Sequence, residues 1–241
     1  MRTSKLSRSL VAAAIVSALS LGAAHAATVR IANQGDALSM DPHSLNETTQ
    51  LSVVGNVYEP LVGRDENLKL VPRLASSWKQ ISPNVWRFEL RKGVKFHDGK
   101  PFTADDVVFT FGRMTDKNHP FNKAYPAEFP YASDTGLDGN MASIKKVDAN
   151  TVVFQLQKPD ADMLAKIALP FASVLSAEHA EKLQAAGTAN LINQQPVGTG
   201  PFVLKSYQKD SNIRYTKNAE YWNAEFKNFR IKLWCVICIN T

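Results

Sequence analysis

The clearest hydrophobic pattern in the chain lies between residues 84 and 114. From Asn84 to Arg91, apolar and charged residues alternate, which is the two-residue period of a strand with one buried face. The next segment predicts a turn, because Gly99 tolerates a positive φ and Asp98 can bond its own backbone. This part of the chain therefore predicts a half-buried strand followed by a tight turn.

A helix is predicted directly after that turn. Thr103 is a suitable N-cap, and Asp106 stands three residues later, where its carboxylate can reach back to the cap. Phe102 and Val107 occupy the two positions of a hydrophobic staple. Val107, Phe111 and Met114 then fall on one helical face.

The rest of the chain alternates between both kinds of element, so the predicted fold class is α/β. Further strands are predicted at 28–33, 142–147, 151–157, 202–207 and 211–217, with a hairpin in 61–70. Helices are predicted at 46–58, 160–168 and 177–186, the last ended by Gly187. Residues 118–140 are rich in Pro, Gly, Asn and Asp and predict a long irregular loop.

The first 26 residues are typical of a cleaved secretory signal peptide. Arg2, Lys5 and Arg8 precede an apolar run of about a dozen residues, and Ala24-His25-Ala26 is a small-residue cleavage site. That run is shorter than the ~20 apolar residues that a membrane span needs. No Cys stands at the cleavage site to carry a lipid. We therefore expect a free periplasmic protein of a Gram-negative cell.

Charge changes this picture little. The formal net charge is +6, and three of the cations lie before residue 27, which leaves +3 for residues 27–241. No run of Lys and Arg forms a basic stripe along the sequence, and such a footprint is the minimum that nucleic-acid binding requires. The hydrophobic fraction of 44% is ordinary for a globular protein. We expect no nucleic-acid partner.

Cys235 and Cys238 form a C-x-x-C pair three residues before the end of the sequence. A redox role would require a βαβ unit around the pair, and a zinc site would require two further ligands at suitable spacing. Neither accompanies the pair, so we expect no metal and no cofactor. A secreted enzyme or redox protein that uses both cysteines is the alternative from another functional class. Loss of an activity on replacing both with Ser would support it.

Other motifs that resemble catalytic sites have simpler interpretations. Gly198-Thr199-Gly200 lacks the third glycine of a dinucleotide loop and precedes a predicted hairpin, so it predicts a structural turn. His97 and Asp98 are expected to belong to their turn, and Asp105 and Asp106 to the helix N-terminus. The sequence therefore predicts a protein that is not an enzyme.

The string at 71–114 as a whole closely resembles the signature of the family 5 extracellular solute-binding proteins, the peptide-, nickel- and opine-binding receptors of bacterial ABC importers. Further segments resemble the family in the family's order, and they look most like its dipeptide-binding branch. These segments are 147–152, 171–176, 198–202, 207–215 and Tyr221-Trp222. The resemblance covers nearly all of residues 28–233.

This resemblance implies the first lobe of a type II periplasmic binding protein, with the family's inserted subdomain. Residues 27–60 would open the ligand lobe, 61–195 would form the insertion, and 196–233 would return to the lobe. From Trp234 to Thr241 the residues no longer resemble the family, whose members continue into a second lobe. That change is similar to a frameshift or a miscalled gene end; a naturally short relative is the alternative.

The implied function is capture of dipeptides or short oligopeptides for an ABC importer, with the permease subunits in the inner membrane as partners. Such a receptor performs no chemistry and is expected to be a monomer at full length. A nickel or haem receptor on the same fold is the alternative.

By the same resemblance, Asn46, Glu47 and Thr48 lie along the bound peptide, and Tyr125 reaches over the cleft. The alternative is that the first three simply begin a helix, with Asn46 as its N-cap. In the family, the charges that hold the peptide termini come from the second lobe. We therefore expect this chain by itself to bind peptide weakly.

Overall fold

A computed structural model describes residues 28–33, 35–44, 47–227 and 234–239. The predicted signal peptide, residues 1–26, and the candidate ligand residue Asn46 lie outside these ranges. Within them, no helix combines the length and the apolar character that a membrane crossing demands.

Among the described residues, ten strands form two four-stranded sheets and one hairpin. The strands are β1 (Thr28–Asn33), β2 (Val62–Arg64), β3 (Leu70–Pro72), β4 (Ala75–Ser82), β5 (Val85–Leu90), β6 (Met141–Asp148), β7 (Thr151–Leu156), β8 (Phe202–Gln208), β9 (Asn212–Lys217) and β10 (Trp234–Ile239). The helices are α1 (Thr48–Val54), α2 (Ala104–Thr115), α3 (Pro120–Ala124), α4 (Pro130–Asp134), α5 (Leu137–Asn140), α6 (Met163–Ile167), α7 (Ala177–Ala185) and α8 (Ala224–Lys227). Short 3-10 turns cover Pro170–Ala172 and Ala189–Asn193.

The first sheet has the order β1-β10-β9-β8 and brings the two ends of the described chain together. β1 runs parallel to β10, while β9 is antiparallel to both β10 and β8. The residues from Trp234 to Ile239, whose sequence is not expected to resemble the family, thus supply the backbone of a central strand.

The second sheet has the order β4-β5-β7-β6 and is antiparallel throughout. The predicted alternation in β5 is confirmed, because Trp86, Phe88 and Leu90 are buried and their neighbours are not. Phe88 and Phe111 both contact Phe154 of β7, with ring centroids 5.0 and 4.8 Å away. One face of this sheet therefore packs against α2.

The predicted start of α2 is confirmed. Thr103 accepts a hydrogen bond from the Asp105 amide at 3.3 Å, and Asp106 accepts one from the Thr103 amide at 2.8 Å. Asp106 also accepts from the Ala177 amide at 2.9 Å. One carboxylate thus joins the first turns of α2 and α7. Burial raises its pKa to about 6, because desolvation outweighs these hydrogen bonds.

Two predicted boundaries are wrong. Residues 118–140 are not an irregular loop but contain α3, α4 and α5. Pro120 and Pro130 stand in the first turns of α3 and α4, where proline costs no hydrogen bond and its fixed φ suits the helix. The helix predicted at 46–58 ends earlier, at Val54, and Gly55 caps it.

The Gly198–Gly200 segment is the structural turn that was predicted, and it crosses closely over the end of α1. A Cβ atom on Gly198 would lie 2.0 Å from the Val57 carbonyl oxygen, so no other residue fits there. The Gly200 amide donates to that oxygen at 2.8 Å. His97, as expected, belongs to a turn contact: its Nε2 lies 3.0 Å from the Gly200 carbonyl.

A buried carboxylate beside this turn was not predicted. Glu59 accepts hydrogen bonds from Thr199 Oγ1 at 3.0 Å, Tyr221 Oη at 2.6 Å and Trp222 Nε1 at 2.8 Å. Burial raises its pKa although all three donors act to lower it. Glu59 therefore ties the end of α1 to the segment that follows β9.

The buried side chains form two clusters that do not follow the predicted domain boundaries residue by residue. One cluster runs from Leu61 to Val174 and contains most of the second sheet. The other joins α1 and the strands β8 and β9 to Leu175, Leu183 and Ile192. The boundaries at Leu61 and Pro196 stay predictions.

Candidate functional site

The loop after β1 is fixed by a buried ion pair. Arg113 on α2 donates to both oxygens of Asp41, at 3.0 and 2.5 Å. Neither side chain has solvent-accessible surface. Burial acts to raise the pKa of Asp41, but the charge and hydrogen bonds of Arg113, with His43, bring it below its ordinary value. Asp41 is therefore ionised, and Arg113 balances its charge.

His43 completes the cluster as a neutral side chain. Its Nδ1 lies 3.2 Å from Arg113 Nη1, which can only donate. Nε2 must then carry the proton and donate to the Ser173 carbonyl at 2.9 Å. Burial lowers the pKa of His43 to about 4, and the charge of Arg113 adds to that effect. His43 thus links the loop after β1 to Ser173 without carrying a charge at neutral pH.

Three aromatic rings surround the guanidinium group of Arg113. Its carbon lies 5.0 Å from the ring centroid of Phe129, 5.3 Å from that of Phe121 and 5.9 Å from that of Tyr125. All three distances are within the range of a cation–π contact. The arginine therefore connects the segment 118–130 to the loop that holds Asp41.

A second contact fixes the start of α1 to the same loop. The buried Gln50 accepts from the Ser39 amide at 3.3 Å, and its Nε2 donates to the Ser39 carbonyl. The Met40 amide donates to the Asn193 carbonyl at 2.8 Å. Residues 35–44 and the first turn of α1 are therefore held in a fixed relation to each other.

Residues 35–44, Gln50 and Arg113 form a fixed frame, and the predicted ligand residues lie on the elements attached to it. Glu47 is the N-cap of α1, without a side-chain cap bond, and Thr48 is the first helical residue; both are exposed. Tyr125 is half-buried at the end of α3. Burial raises the pKa of Tyr125, and Asp41 adds to that effect. Their role as ligand contacts stays a prediction.

Sequence reasoning missed the residues that build the frame. Neither the Asp41-Pro42-His43 segment nor Arg113 was predicted to belong to a site. Arg113 follows Gly112 on a helix whose apolar face was assigned to other positions. In the sequence, Arg113 is notable only for its position shortly before the aromatic-rich segment 121–131. That position alone does not indicate a buried ion pair.

Across the ranges that the structure describes, no three His, Cys, Asp or Glu residues cluster in a way that would hold a metal ion. Cys235 and Cys238 lie on β10, where the side chains are outside the described part of the structure. Glu47 and Thr48 are exposed at the start of α1, and the ring centroid of Tyr125, at the end of α3, lies 5.9 Å from the guanidinium carbon of Arg113.

The chain is similar in sequence to a known family of binding proteins. The model of the bacterial extracellular solute-binding proteins, family 5 Middle, matches residues 69–236. The chain is 44% identical over 226 residues to Di/tripeptide-binding protein 1 of Pseudomonas aeruginosa (strain UCBPP-PA14), which covers 90% of this chain and 42% of the relative. It is 38% identical over 196 residues to Heme-binding protein A of Haemophilus influenzae, covering 78% of this chain and 35% of that protein.

A solved structure shows the same fold. The dipeptide-binding protein from Pseudoalteromonas sp. SM9913, in complex with Met-Leu, superposes with a TM-score of 0.80 and is 32% identical; the match covers 88% of this chain and 43% of that one. The predicted α/β fold of a periplasmic binding protein is thus confirmed. The chain spans about two-fifths of the length of these dipeptide-binding relatives.

Proposed function

Because the chain belongs to the bacterial extracellular solute-binding proteins of family 5, we propose that it captures dipeptides or short oligopeptides for an ABC importer. The observation that carries this proposal is the 44% identity to a di/tripeptide-binding protein over 90% of the chain. The family and these relatives are binding proteins. The proposed receptor accordingly binds and releases its ligand unchanged, and its partners are the permease subunits of the importer.

The proposed location is the periplasm, after removal of residues 1–26. The basic and apolar parts of that segment, followed by Ala24-His25-Ala26, support secretion. A location outside the cytoplasm also suits the proposed role, because the ligand must be captured before it meets the importer. The proposed full-length receptor acts as a monomer.

Asn46, Glu47, Thr48 and Tyr125 are the proposed ligand contacts of this chain. An extended peptide is bound through main-chain hydrogen bonds with little regard to its side chains. Glu47 has extended backbone, with φ −95° and ψ 137°, and Thr48 is the first residue of α1. The first amides of a helix have no intrahelical partner, so the Thr48 N–H is available as a donor to a peptide carbonyl.

The proposed function is tested by NMR titration of residues 27–241 with Met-Leu, haem and Ni²⁺ in turn. We expect Met-Leu to shift the amide signals of Glu47 and Thr48 in a saturable way, at concentrations up to about 10 mM, a range that detects weak binding. Haem is the second candidate ligand because a haem-binding relative is 38% identical. If haem or Ni²⁺ shifted the amide signals in a saturable way and dipeptides did not, the proposed peptide ligand would be wrong.

Thr48→Pro tests the main-chain contact. Proline is well tolerated at the first position of a helix, and the extended Glu47 is compatible with a following proline. The variant should therefore keep α1 and lose only the Thr48 N–H, weakening dipeptide binding about tenfold, as expected for one lost hydrogen bond. Thr48→Ala retains the donor and should bind like the parent chain. If the two variants bound the dipeptide with equal affinity, the Thr48 N–H would not be a ligand contact.

A further inference from the structure

The strand register of the second sheet places three cations in one row. Lys79 of β4 lies opposite Arg87 of β5, Arg87 opposite Val153 of β7, and Val153 opposite Lys145 of β6. Residues directly opposite in an antiparallel sheet share a face. With strands about 4.8 Å apart, the row extends roughly 14 Å across the sheet. The four residues come from four different strands, so no run of basic residues in the sequence predicts the row.

This row lies on the face of the sheet that points away from α2. The buried residues of β5 and β7 alternate with Arg87 and Val153, and they pack on the α2 side. Lys79 and Lys145 are exposed, and the Arg87 side chain keeps 41% of its surface open to solvent. The row is therefore accessible along its whole length.

The charges on this face do not cancel. Arg87 bonds Glu89 at 2.7 Å, and this hydrogen bond lowers the pKa of Glu89, which is thus ionised. Lys79 and Lys145 take part in none of the ion pairs found among the described residues. Asp148, the last residue of β6, is the other acidic group near the row, and the positive charges of Arg87 and Lys92 act on it. The row thus retains two unmatched lysines on either side of an arginine–glutamate pair.

Folding gains nothing from this arrangement, since like charges directly opposite each other destabilise a sheet. Exposed aliphatic side chains accompany the row: Ile81 and Val147 are 52% and 54% exposed, and each lies at a register shift of an edge strand. Cations spread over a broad face with exposed aliphatic side chains match the headgroup layer of an anionic membrane. We propose that this sheet face binds the anionic headgroups of a lipid bilayer.

The proposal predicts a measurable partition coefficient. A Lys or Arg near an anionic bilayer strengthens binding by about fivefold. The double variant Lys79→Gln/Lys145→Gln should therefore bind vesicles about 25-fold more weakly than the parent chain. Sedimentation of residues 27–241 with vesicles of phosphatidylglycerol and phosphatidylcholine measures the bound fraction, and pure phosphatidylcholine vesicles should retain none.

A matched double variant distinguishes an effect of this sheet face from an effect of net charge alone. Lys205→Gln/Lys209→Gln removes two exposed lysines near β8, in the other sheet, and should leave vesicle binding nearly unchanged. Circular dichroism checks that both doubles fold. Equal losses in the two doubles, or no binding of the parent chain to anionic vesicles, would overturn the proposal. The result does not depend on peptide binding, which the NMR titration tests separately.

Discussion

Replacing Arg113 by methionine is expected to lower the free energy of unfolding by about 3–5 kcal/mol, the usual cost of breaking a buried ion pair from one side. The substitution leaves the Asp41 carboxylate without its charged partner in a site with no solvent-accessible surface. It also removes the cation around which Phe121, Tyr125 and Phe129 lie. Urea denaturation at neutral pH measures the change.

Two further variants show whether the buried charge is the cause. Asp41→Asn/Arg113→Met removes both charges and should recover much of the lost stability, because no uncompensated charge remains. Lys146→Met breaks the exposed Lys146–Asp105 pair, whose atoms are 2.7 Å apart, and should change stability by less than about 1 kcal/mol. If Arg113→Met cost no more than Lys146→Met, the ion pair would not be what fixes the loop after β1.

The same substitution connects stability to the candidate site. Arg113 contacts both Tyr125 and Asp41, so it joins the segment 118–130 to the loop after β1. That loop is in turn bonded to α1 through Gln50 and Ser39. Arg113 therefore helps to position two regions that are expected to contact a ligand, although Arg113 is not itself a predicted ligand contact. Positions of this kind are fixed by the fold before any ligand arrives, which is the condition for binding without a large ordering cost.

Local signals in the sequence were sufficient where neighbouring residues decide the structure. The β5 strand and the start of α2 follow from alternation and from a capping box, both of which act over a few residues. Residues 118–140 were misjudged because Pro and Gly were interpreted as breaking structure, whereas Pro120 and Pro130 begin helices. The same residue type has opposite meanings at a helix start and in a helix interior.

The frame of the candidate site was beyond such reasoning because its contacts are long-range. Arg113 and Asp41 are 72 residues apart, and Glu59 and Trp222 are 163 apart. A polar residue next to an apolar face looks solvent-exposed in the sequence, and only the fold shows that Arg113 is buried. The cationic row has the same origin, because it arises from the register of four strands.

Lowering the pH is expected to destabilise the protein through His43. Its pKa is about 4 in the folded chain, against an ordinary value of 6.5. Above pH 6.5 the ring is neutral in both states. Between pH 6.5 and 4 the unfolded chain binds a proton that the folded chain does not, so stability falls as the pH falls. The difference of 2.5 pKa units corresponds to about 3 kcal/mol by pH 4.

The variant His43→Gln isolates this contribution. Glutamine can accept from Arg113 and donate to the Ser173 carbonyl, but it does not titrate. Asp106, whose pKa is raised to about 6 and whose contribution to stability has the opposite sign in this range, is present in both proteins and cancels in their difference. Urea midpoints measured from about pH 7.5 to about pH 4.5 should show the parent chain losing stability faster than the variant as acid is added. Parallel profiles would mean that His43 takes up its proton at the same pH in the folded and unfolded chains, so that burial and Arg113 do not lower its pKa.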